Sequence, residues 1–391
     1  MQSKLNKIIN TPEFLGILGG GQLGRFFTIA AQKMGHSVVV FDPDKQSPAG
    51  KIAEKHICKP YNDLKALDEL KASCSAVTTE FENVPAETLK YLEKDIIVRP
   101  SSKAISIAQN RIKEKDFLKE CGIPVGSYVV IDSIESINNL DSKTLIYPGI
   151  LKTAQFGYDG KGQIHVNNKT ELEDAFKHFN STPCTFELKL DLDCEFSIVL
   201  SRSVNEVFVL YPLIRNNHEA GILDYSSIHP NSASIDLKSL AIKLAKRIAN
   251  ELNYVGVMAV EFFLSNDTLF VNEIAPRPHN SGHFSIDACV YNQFDQQVLT
   301  LVGGEPQKEV TKFPISLMLN ILGDLWFRNG KQMEPKFNMI AGPGINLHLY
   351  DKKEPRIGRK MGHITILGLE NESQKDVVEK SEAIRKILWK N

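Results

Sequence analysis

Two glutamates in the second half of the chain have the type and spacing of metal ligands. Glu261 and Glu273 lie in two apolar runs that flank the turn-forming residues 265–268. If Asp267 is the centre of an odd-numbered hairpin loop, the two carboxylates face each other, with Cβ atoms about 5 Å apart. Opposed carboxylates repel, and a divalent cation between them, with Asn272 nearby, would remove the repulsion. The sequence therefore predicts a Mg²⁺ site. The alternatives are an even-numbered loop, which would oppose Glu261 to Asn272, and two solvated strand glutamates.

A glycine-rich segment has the composition of a cover over phosphate groups. Residues 157–162 read Gly-Tyr-Asp-Gly-Lys-Gly and lie between two predicted strands. The segment cannot be a P-loop or a dinucleotide turn, because both of those open a helix. We interpret it as a flap over nucleotide phosphates, with Lys152 on the preceding strand supplying positive charge. An ordinary hairpin with an outward-pointing lysine is the alternative.

A second glycine-rich segment joins a strand to a helix near the N-terminus. Gly19, Gly21 and Gly24 have the G-x-G-x-x-G spacing, and Asp42 ends the next predicted strand. Such glycines let the backbone approach a phosphate at a helix N-terminus, and an acidic residue about 20 positions later commonly holds a ribose hydroxyl. Taken alone, the motif suggests NAD, and a tight turn without a dinucleotide is the alternative. Phosphate binding is the safer prediction.

Basic residues are concentrated late in the chain. The cluster consists of Lys352, Lys353, Arg356, Arg359 and Lys360, followed by His363, and the loop 276–283 adds Arg277, His279 and His283. Cationic side chains at this density are candidates for holding a phosphate-bearing substrate. A solvated basic loop is the alternative.

Composition limits the class of protein. With 391 residues, the chain should hold two or three domains of roughly 150 residues. The 46 Lys and Arg residues against 47 Asp and Glu residues lack the excess of a nucleic-acid binder. There is no apolar stretch near the ~20 residues that cross a membrane, and residues 1–10 do not resemble a secretory signal, so we expect a cytoplasmic protein. The six cysteines include no C-x-x-C pair, which argues against a structural zinc site or a disulfide framework.

The elements that must position these residues form three segments. In the first, residues 1–110, the strand 14–18, the helix 23–34 and the strand 38–41 predict a β-α-β unit of a doubly wound α/β domain.

The second segment, residues 111–303, alternates paired strands with helices and is α+β. Its clearest helix is capped by Asp236 and ends near Leu252. The third segment, residues 304–391, contains strands and a final amphipathic helix at about 373–388.

Six sequence blocks together resemble the ATP-grasp superfamily and, within it, the 5-(carboxyamino)imidazole ribonucleotide synthetases of purine biosynthesis. In family order, the blocks are residues 17–25, 80–85, 157–163, 254–261, 272–283 and 358–363. The resemblance implies an α/β and α+β chain with a Rossmann-like pre-ATP-grasp domain at 1–110, a two-lobed ATP-grasp domain at 111–303 and a small β-rich C-terminal domain at 304–391. It also implies an ADP-forming, biotin-independent ligase. Such an enzyme uses ATP and bicarbonate to carboxylate the amino group of 5-aminoimidazole ribonucleotide through carboxyphosphate.

The resemblance further implies which residues form the site. For ATP these are Arg111, Lys152, Gly157, Tyr158, Asp159, Gly160, Lys161, Gly162, Gln163, Glu187, Leu188, Lys189, Leu190, Glu195, His218, Asn272 and Glu273, with 187–190 at the adenine edge and Glu195 at the ribose. Glu261 and Glu273 would bind Mg²⁺, with Mn²⁺ as an alternative ion. The ribonucleotide would contact Gln22, Leu23, Glu80, Lys352 and Arg359, and either Glu80 or Glu82 faces it. The catalytic set would be Tyr158, Asp159, Lys161, Arg277 and His283. The glycine turn is thereby reassigned from NAD to the substrate phosphate, and neither NAD nor biotin is expected.

Three positions depart from the family pattern. Ala154, Phe156 and Ile357 stand where relatives commonly have arginine, glycine and proline, so we expect differences at the flap and around Lys352 and Arg359. The family resemblance suggests a homodimer without a nucleic-acid or membrane partner.

Three other functions are alternatives. A nicotinamide oxidoreductase would use the glycine turn, and a nucleotide sensor would bind ATP without turnover. A formate-dependent glycinamide ribonucleotide transformylase is the nearest enzyme within the superfamily, and residues 358–363 argue against it.

Overall fold

The N-terminal segment folds around a five-stranded parallel sheet. The computed structural model describes residues 8–140, 147–155, 157, 160–308, 311–328 and 330–390. The strands are β1 (Phe14–Leu18), β2 (Ser37–Phe41), β3 (Lys55–Ile57), β4 (Ala76–Thr79) and β5 (Ile97–Val98), in the order β3-β2-β1-β4-β5. The helices are α1 (Gln22–Lys33), α2 (Leu64–Ser73), α3 (Ala86–Leu92) and α4 (Ser102–Ala108). The predicted β-α-β unit is confirmed, and the glycine turn lies at the carboxyl end of β1, where such sheets bind ligands.

A four-stranded antiparallel sheet forms the next unit. It contains β6 (Tyr128–Ile131), β7 (Gly149–Thr153), β8 (Gln163–Val166) and β9 (Cys184–Leu188) in the order β6-β9-β7-β8. The helices around it are α5 (Arg111–Glu120), α6 (Ile134–Asn138) and α7 (Lys169–His178). Leu151, Phe176 and Phe186 are buried between the sheet and these helices, and they hold the strand that carries Lys152.

A nine-stranded sheet forms the largest layer of the molecule. Its first strands are β10 (Cys194–Arg202), β11 (Phe208–Leu210), β12 (Ile214–Glu219), β13 (Ile222–Ile228), β14 (Gly256–Ser265) and β15 (Thr268–Ala275). Helix α8 (Ile235–Glu251) buries Ala241, Leu244 and Ile248 against this sheet. The helix is present as predicted, but its cap is Ser234, whose side chain accepts from Leu237 N–H at 3.2 Å. Asp236 lies in the first turn, where a negative charge is also favourable.

The C-terminal strands extend the same sheet. A 3₁₀ turn (Asn280–Phe284), α9 (Ser285–Ala288) and α10 (Gln293–Leu301) precede β16 (Ser316–Leu322), the short pair β17 (Phe327–Arg328) and β18 (Lys331–Gln332), β19 (Ile345–Leu349), β20 (Lys360–Leu367) and α11 (Gln374–Lys390). Strand β16 pairs with β13 and with β20, and β20 pairs with β19. The strands that carry the predicted metal ligands and those next to the basic cluster therefore belong to one hydrogen-bonded sheet.

Buried contacts join the N-terminal segment to the rest of the chain. Arg99 donates to the carbonyls of Thr300 and Leu301 at 2.7 and 2.8 Å, and Phe294 packs in the same core as Phe27. All six cysteines are free thiols, and four of them are buried. Among the described residues, no helix combines the length and apolar character of a membrane span.

Candidate functional site

The predicted carboxylate pair is present. Glu261 on β14 and Glu273 on β15 lie directly opposite each other. The turn between the strands contains two residues, Asn266 and Asp267, both with positive φ, so the predicted odd-numbered loop is wrong. The opposition nevertheless holds, because a β-bulge makes Asn272 an extra residue on β15 and shifts the register by one position.

Neighbouring groups shift the pKa values of the two carboxyl groups in opposite directions. Glu261 Oε1 lies 3.1 Å from His279 Nε2. Burial alone would raise the pKa of Glu261, but the hydrogen bond and charge of His279 lower it to about 2. Burial and the Glu261 charge raise the pKa of Glu273, although Arg111 Nη2 lies 3.6 Å from it. Two opposed oxygen donors with excess negative charge fit a hard divalent cation such as Mg²⁺.

Lys152 is held by a buried ionic cluster. Its Nζ lies 3.0 Å from Glu187 Oε2, and Lys115 Nζ lies 3.2 Å from the same oxygen. Burial raises the pKa of Glu187, but the two ammonium groups outweigh burial, so the pKa is lowered overall. The Glu187 carboxylate is therefore committed to orienting Lys152, and only its backbone is left for the predicted adenine edge.

The rest of the predicted adenine edge is anchored through its backbone. The N–H groups of Leu188 and Lys189 donate to the carbonyls of Ser127 and Pro148 at 2.9 and 3.1 Å. Leu190 is half-buried beside this strand end. These two hydrogen bonds fix the path of the backbone over residues 187–190.

The described residues of the flap contact the turn between β12 and β13. Gly160 and Gly162 have φ values of 75° and 72°, and Thr153 N–H donates to the Gly162 carbonyl at 2.9 Å. A Cβ atom on Gly160 would lie 3.0 Å from the carbonyl oxygen of Ala220, and one on Gly221 would lie 2.8 Å from Gly160 Cα. The two glycine turns therefore touch backbone to backbone.

Five further flap positions were named from the sequence. Lys161 is exposed, Gly157 is half-buried, and Gln163 begins β8. Tyr158 and Asp159, together with Phe156, lie outside the described residues, so their predicted roles stay predictions. Ala154 is buried, and its carbonyl accepts from Arg111 N–H at 2.8 Å, which links the flap strand to α5.

Glu195 and His218 form an ion pair on adjacent strands. Glu195 Oε2 lies 2.8 Å from His218 Nδ1. Burial lowers the pKa of His218, but Glu195 and the charge of Glu261 outweigh burial and raise it. This shift favours the protonated imidazolium, which would suit a phosphate contact, and the predicted ribose contact would share the Glu195 carboxylate with His218.

Internal carboxylates hold the N-terminal glycine turn. Glu80 accepts from the N–H groups of Gly21 and Leu23, the latter at 3.1 Å. Asp42 accepts from Gly20 N–H at 2.7 Å and from Tyr61 O–H at 2.9 Å. Asp42 is thus committed to the turn and is not aimed at a dinucleotide ribose. The Leu23 N–H group, which was predicted to hold the substrate phosphate, instead donates a hydrogen bond to Glu80.

Glu82 is bound to Arg277, which also feels the charges of Glu261 and Glu273. The two side chains form a two-point ion pair, with Arg277 Nη2 donating to Glu82 Oε1 at 3.1 Å and Nε to the other oxygen. Burial lowers the pKa of Arg277, but Glu82, Glu273 and Glu261 outweigh it and raise the pKa. The two glutamates therefore have different partners, because Glu80 accepts hydrogen bonds from the glycine turn and Glu82 accepts them from Arg277.

The basic cluster is partly brought to the glycine turn. Lys352 Nζ donates to Gln22 Oε1 at 2.6 Å and to the Lys360 carbonyl at 2.7 Å. Arg359 Nη1 donates to the Glu354 carbonyl at 2.8 Å, and Ile357 is 80% exposed at the loop tip. Gln22 and Lys352 thus form one predicted subsite across two segments, whereas the Arg359 side chain is tied to its own loop.

His283 lies in a buried cluster of aromatic rings. It is fully buried, and its ring packs 4.9 Å from that of His363 and 5.6 Å from that of Phe26. Gln293 Oε1 accepts from His279 N–H at 2.9 Å, so Gln293 Nε2 donates to His283 Nδ1 at 3.0 Å. His283 is therefore neutral with its proton on Nε2, and burial lowers its pKa well below the usual range. Its catalytic role stays a prediction that this geometry does not support.

Sequence reasoning missed several residues that complete the site. His279, assigned only to the basic cluster, contacts Glu261, and Lys115 and Glu114 were not singled out. Glu114 Oε1 accepts from Ile274 N–H at 2.6 Å on strand β15, next to Glu273. The positions of Glu114 and Lys115 three and four residues after Arg111 place them on one helix face, and this spacing was the available signal.

Comparison with known protein families identifies the class. Residues 13–109 match the ribonucleotide synthetase preATP-grasp domain, residues 116–294 the ATP-grasp domain, and residues 316–376 the phosphoribosylaminoimidazole carboxylase C-terminal domain. Together with the paired carboxylates and the glycine flap, these matches define an ATP-grasp ligase.

Individual relatives narrow the class to one family. The chain is 38% identical to N5-carboxyaminoimidazole ribonucleotide synthase of Staphylococcus aureus (strain COL) over 94% of its own length and 96% of the relative. The solved structure of the Staphylococcus aureus enzyme complexed with ADP aligns with a TM-score of 0.87 and 37% identity over 96% of this chain and 98% of that one. The Aspergillus clavatus enzyme in complex with ADP and 5-aminoimidazole ribonucleotide aligns with a TM-score of 0.86 and 25% identity over 97% and 99%. The chain belongs to the N5-carboxyaminoimidazole ribonucleotide synthase family, as its sequence motifs predicted.

Proposed function

We propose that this chain uses ATP and bicarbonate to carboxylate the amino group of 5-aminoimidazole ribonucleotide, giving the N5-carboxylated ribonucleotide, ADP and phosphate. The observation that carries the proposal is the opposition of Glu261 and Glu273, with Arg111 Nη2 3.6 Å from Glu273 and with His218 within reach of the Glu261 charge. Family membership supports the choice of ribonucleotide and of bicarbonate.

The proposed roles follow from charge and position. Lys152, oriented by Glu187, and Arg111 would offset the negative charge that develops on the transferring phosphoryl group. Mg²⁺ held by Glu261 and Glu273 would supply further charge neutralisation there. Arg277, oriented by Glu82, would hold the bicarbonate-derived carboxyphosphate beside the amine.

Exclusion of water is the second requirement of this chemistry. Carboxyphosphate is an activated acid anhydride that water hydrolyses, so the amine must be positioned before the intermediate forms. The contact between the flap and the Ala220–Gly221 turn would close the nucleotide side of the cleft. On the other side, Lys352 and Gln22 would hold the ribonucleotide phosphate.

Turnover assays test the proposed reaction. Purified protein with ATP, Mg²⁺ and bicarbonate should release phosphate only when 5-aminoimidazole ribonucleotide is added. Equal release with glycinamide ribonucleotide and formate would instead assign the transformylase reaction. ATP binding without release under either condition would favour a nucleotide sensor.

A substitution tests the metal ligands. Replacing Glu273 by Gln removes one anionic oxygen donor while keeping the side-chain shape, so turnover should fall by roughly two orders of magnitude or more. Glu219→Gln, at an exposed position on β12, is the matched control and should keep wild-type turnover. Both variants should show wild-type circular dichroism. Full activity in Glu273→Gln would end the metal assignment.

Three expectations from the sequence complete the proposal. We propose a homodimer, domain divisions near residues 110 and 303, and a cytoplasmic location. Light scattering, limited proteolysis and cell fractionation test them. The proposed use of ATP is tested by leaving ATP out of the assay, which should abolish turnover. Leaving out biotin and NAD should have no effect.

A further inference from the structure

A cluster of two half-buried residues, Asp287 and His348, and the fully buried His363 lies outside the proposed active site. His348 on β19 and His363 on β20 are cross-strand partners, and Asp287 on α9 approaches them from the segment that follows the 3₁₀ turn. One potential ligand atom from each residue lies within 4.8 Å of the other two. Imidazole nitrogens and a carboxylate oxygen are a common donor set for transition metals.

The spacing within the cluster suits adjacent ligands of one ion. His348 Nε2 lies 2.9 and 3.1 Å from the two carboxylate oxygens of Asp287. Two ligand atoms with bonds of about 2.1 Å at the tetrahedral angle are about 3.4 Å apart, so these atoms would have to separate by only a few tenths of an ångström to hold one ion. The ring centroids of His348 and His363 are 4.6 Å apart with planes inclined by 19°, so the rings are stacked and one of them must rotate before both nitrogens can face a single ion.

One atom of the cluster independently points to a missing ligand. His363 is fully buried, its Nδ1 lies 2.8 Å from Tyr350 Oη, and its Nε2 has no hydrogen-bond partner among the described residues. Leaving a buried imidazole nitrogen without a hydrogen-bond partner is unfavourable. When Tyr350 accepts the Nδ1 proton, the Nε2 lone pair is available for a metal, as outer-shell partners commonly arrange.

The neighbouring His283 is excluded from the ligand set. Its Nδ1 accepts from Gln293, so its Nε2 carries a proton and has no lone pair to donate. The cluster therefore offers three protein ligands, and a water molecule can take a fourth position.

We propose that Asp287, His348 and His363 bind one divalent transition metal ion, Zn²⁺ by preference, in a structural site that ties α9 to the β19–β20 edge of the large sheet. Imidazole ligands select Zn²⁺ over Mg²⁺, which prefers oxygen donors, so this site and the Glu261–Glu273 pair would take different ions. The proposal does not depend on the proposed reaction.

Metal uptake by the whole protein tests the site. Chelator-treated protein is incubated with Zn²⁺ and excess Mg²⁺, passed through a desalting column and analysed by mass spectrometry for metal content. We expect about one Zn²⁺ per chain and a higher thermal midpoint when Zn²⁺ is present. Uptake by His348→Asn should fall to background, whereas His165→Asn, the same change at an exposed strand histidine, should keep the ion.

Two further measurements make the outcome decisive. Co²⁺ bound at the site should give visible absorption bands in the wild-type protein that are absent from His348→Asn. Glu273→Gln should retain the Zn²⁺, which separates this site from the proposed Mg²⁺ site. Wild-type protein that takes up no more Zn²⁺ than His348→Asn, or that gives no Co²⁺ bands, would overturn the proposal even if the variant does not fold.

Discussion

Single residues show which parts of the site could be predicted from residue type. Glu261, Glu273 and Lys152 were recognised because carboxylates and an ammonium group beside glycine-rich or apolar runs have a narrow range of uses. Glu114 was not singled out, and His279 was predicted as a substrate-phosphate candidate rather than as a partner of Glu261, because these contacts depend on burial and on partners distant in the sequence. Burial of a polar side chain depends on tertiary packing, which local pattern does not report.

The buried Glu114 gives a prediction for the pH dependence of stability. Burial, followed by the charge of Glu273, raises the pKa of Glu114 to about 8 in the folded protein. Because this folded-state pKa exceeds the unfolded value of about 4.3, the folded state binds the extra proton and loses stability as pH rises between the two values. The loss is at most about 1.4 kcal/mol per pH unit.

Substitution of Glu114 by Gln should remove this loss. The amide oxygen can still accept from Ile274 N–H, and the side chain cannot ionise. Urea unfolding at pH 5.5, 7 and 8.5 should show Glu114→Gln gaining stability relative to wild type as pH rises. A constant difference across that range would show that Glu114 does not titrate as described.

At the level of elements, turn and register were harder to predict than the elements themselves. The hairpin β14–β15 was predicted, but its two-residue turn and the bulge at Asn272 were not. A two-residue turn alone would have turned Glu273 away from Glu261, and the bulge restores their opposition. Bulges depend on cross-strand packing, so the correct pairing followed from an incorrect loop length.

The contact between the two glycine turns predicts a flap variant with weakened nucleotide binding. Gly221 has a φ of 78°, and a Cβ atom there would meet Gly160 Cα at 2.8 Å. Gly221→Ala should therefore push the flap away and raise the KM for ATP several-fold. Steady-state kinetics with varied ATP measures the effect.

A matched glycine separates flap contact from backbone strain. Gly330 has a φ of 73° with nothing within 4 Å of its added Cβ position, so Gly330→Ala carries the strain alone. Its KM for ATP should equal that of wild type. Equal KM values for both alanine variants would rule out the contact as a determinant of nucleotide binding.

For the whole molecule, the fold class was predictable from the sequence, whereas the contacts that join the three proposed segments were not. The β-α-β pattern and the paired strands identified the layers. Continuation of the large sheet from β13 into β16 was not visible, because pairing between distant strands leaves no local periodicity. The same limit applies to the pairing of Lys352 with Gln22.

Arg99 gives a prediction about the joint between segments. Its guanidinium bonds two carbonyls at the end of α10, and burial lowers its pKa to about 10, so it is still charged at neutral pH. Arg99→Gln should lower the free energy of unfolding by about 1–3 kcal/mol, because the carbonyls of Thr300 and Leu301 lose their donor. Arg385→Gln, which breaks the half-exposed pair with Asp224, should cost less than about 1 kcal/mol. Equal losses in urea unfolding would contradict a special role for Arg99.

Continuity of the nine-stranded sheet has a consequence for the catalytic cycle. Strands β14 and β20 belong to the same hydrogen-bonded sheet. Glu261 on β14 and the basic residues at the start of β20 should therefore keep a constant separation, and we expect the four-stranded lobe to move during opening. Spin labels on β14 and β20 should report one distance in every nucleotide state, whereas a label on β8 should report at least two. ADP could then leave when the four-stranded lobe opens, while the next ribonucleotide is already bound beside the large sheet.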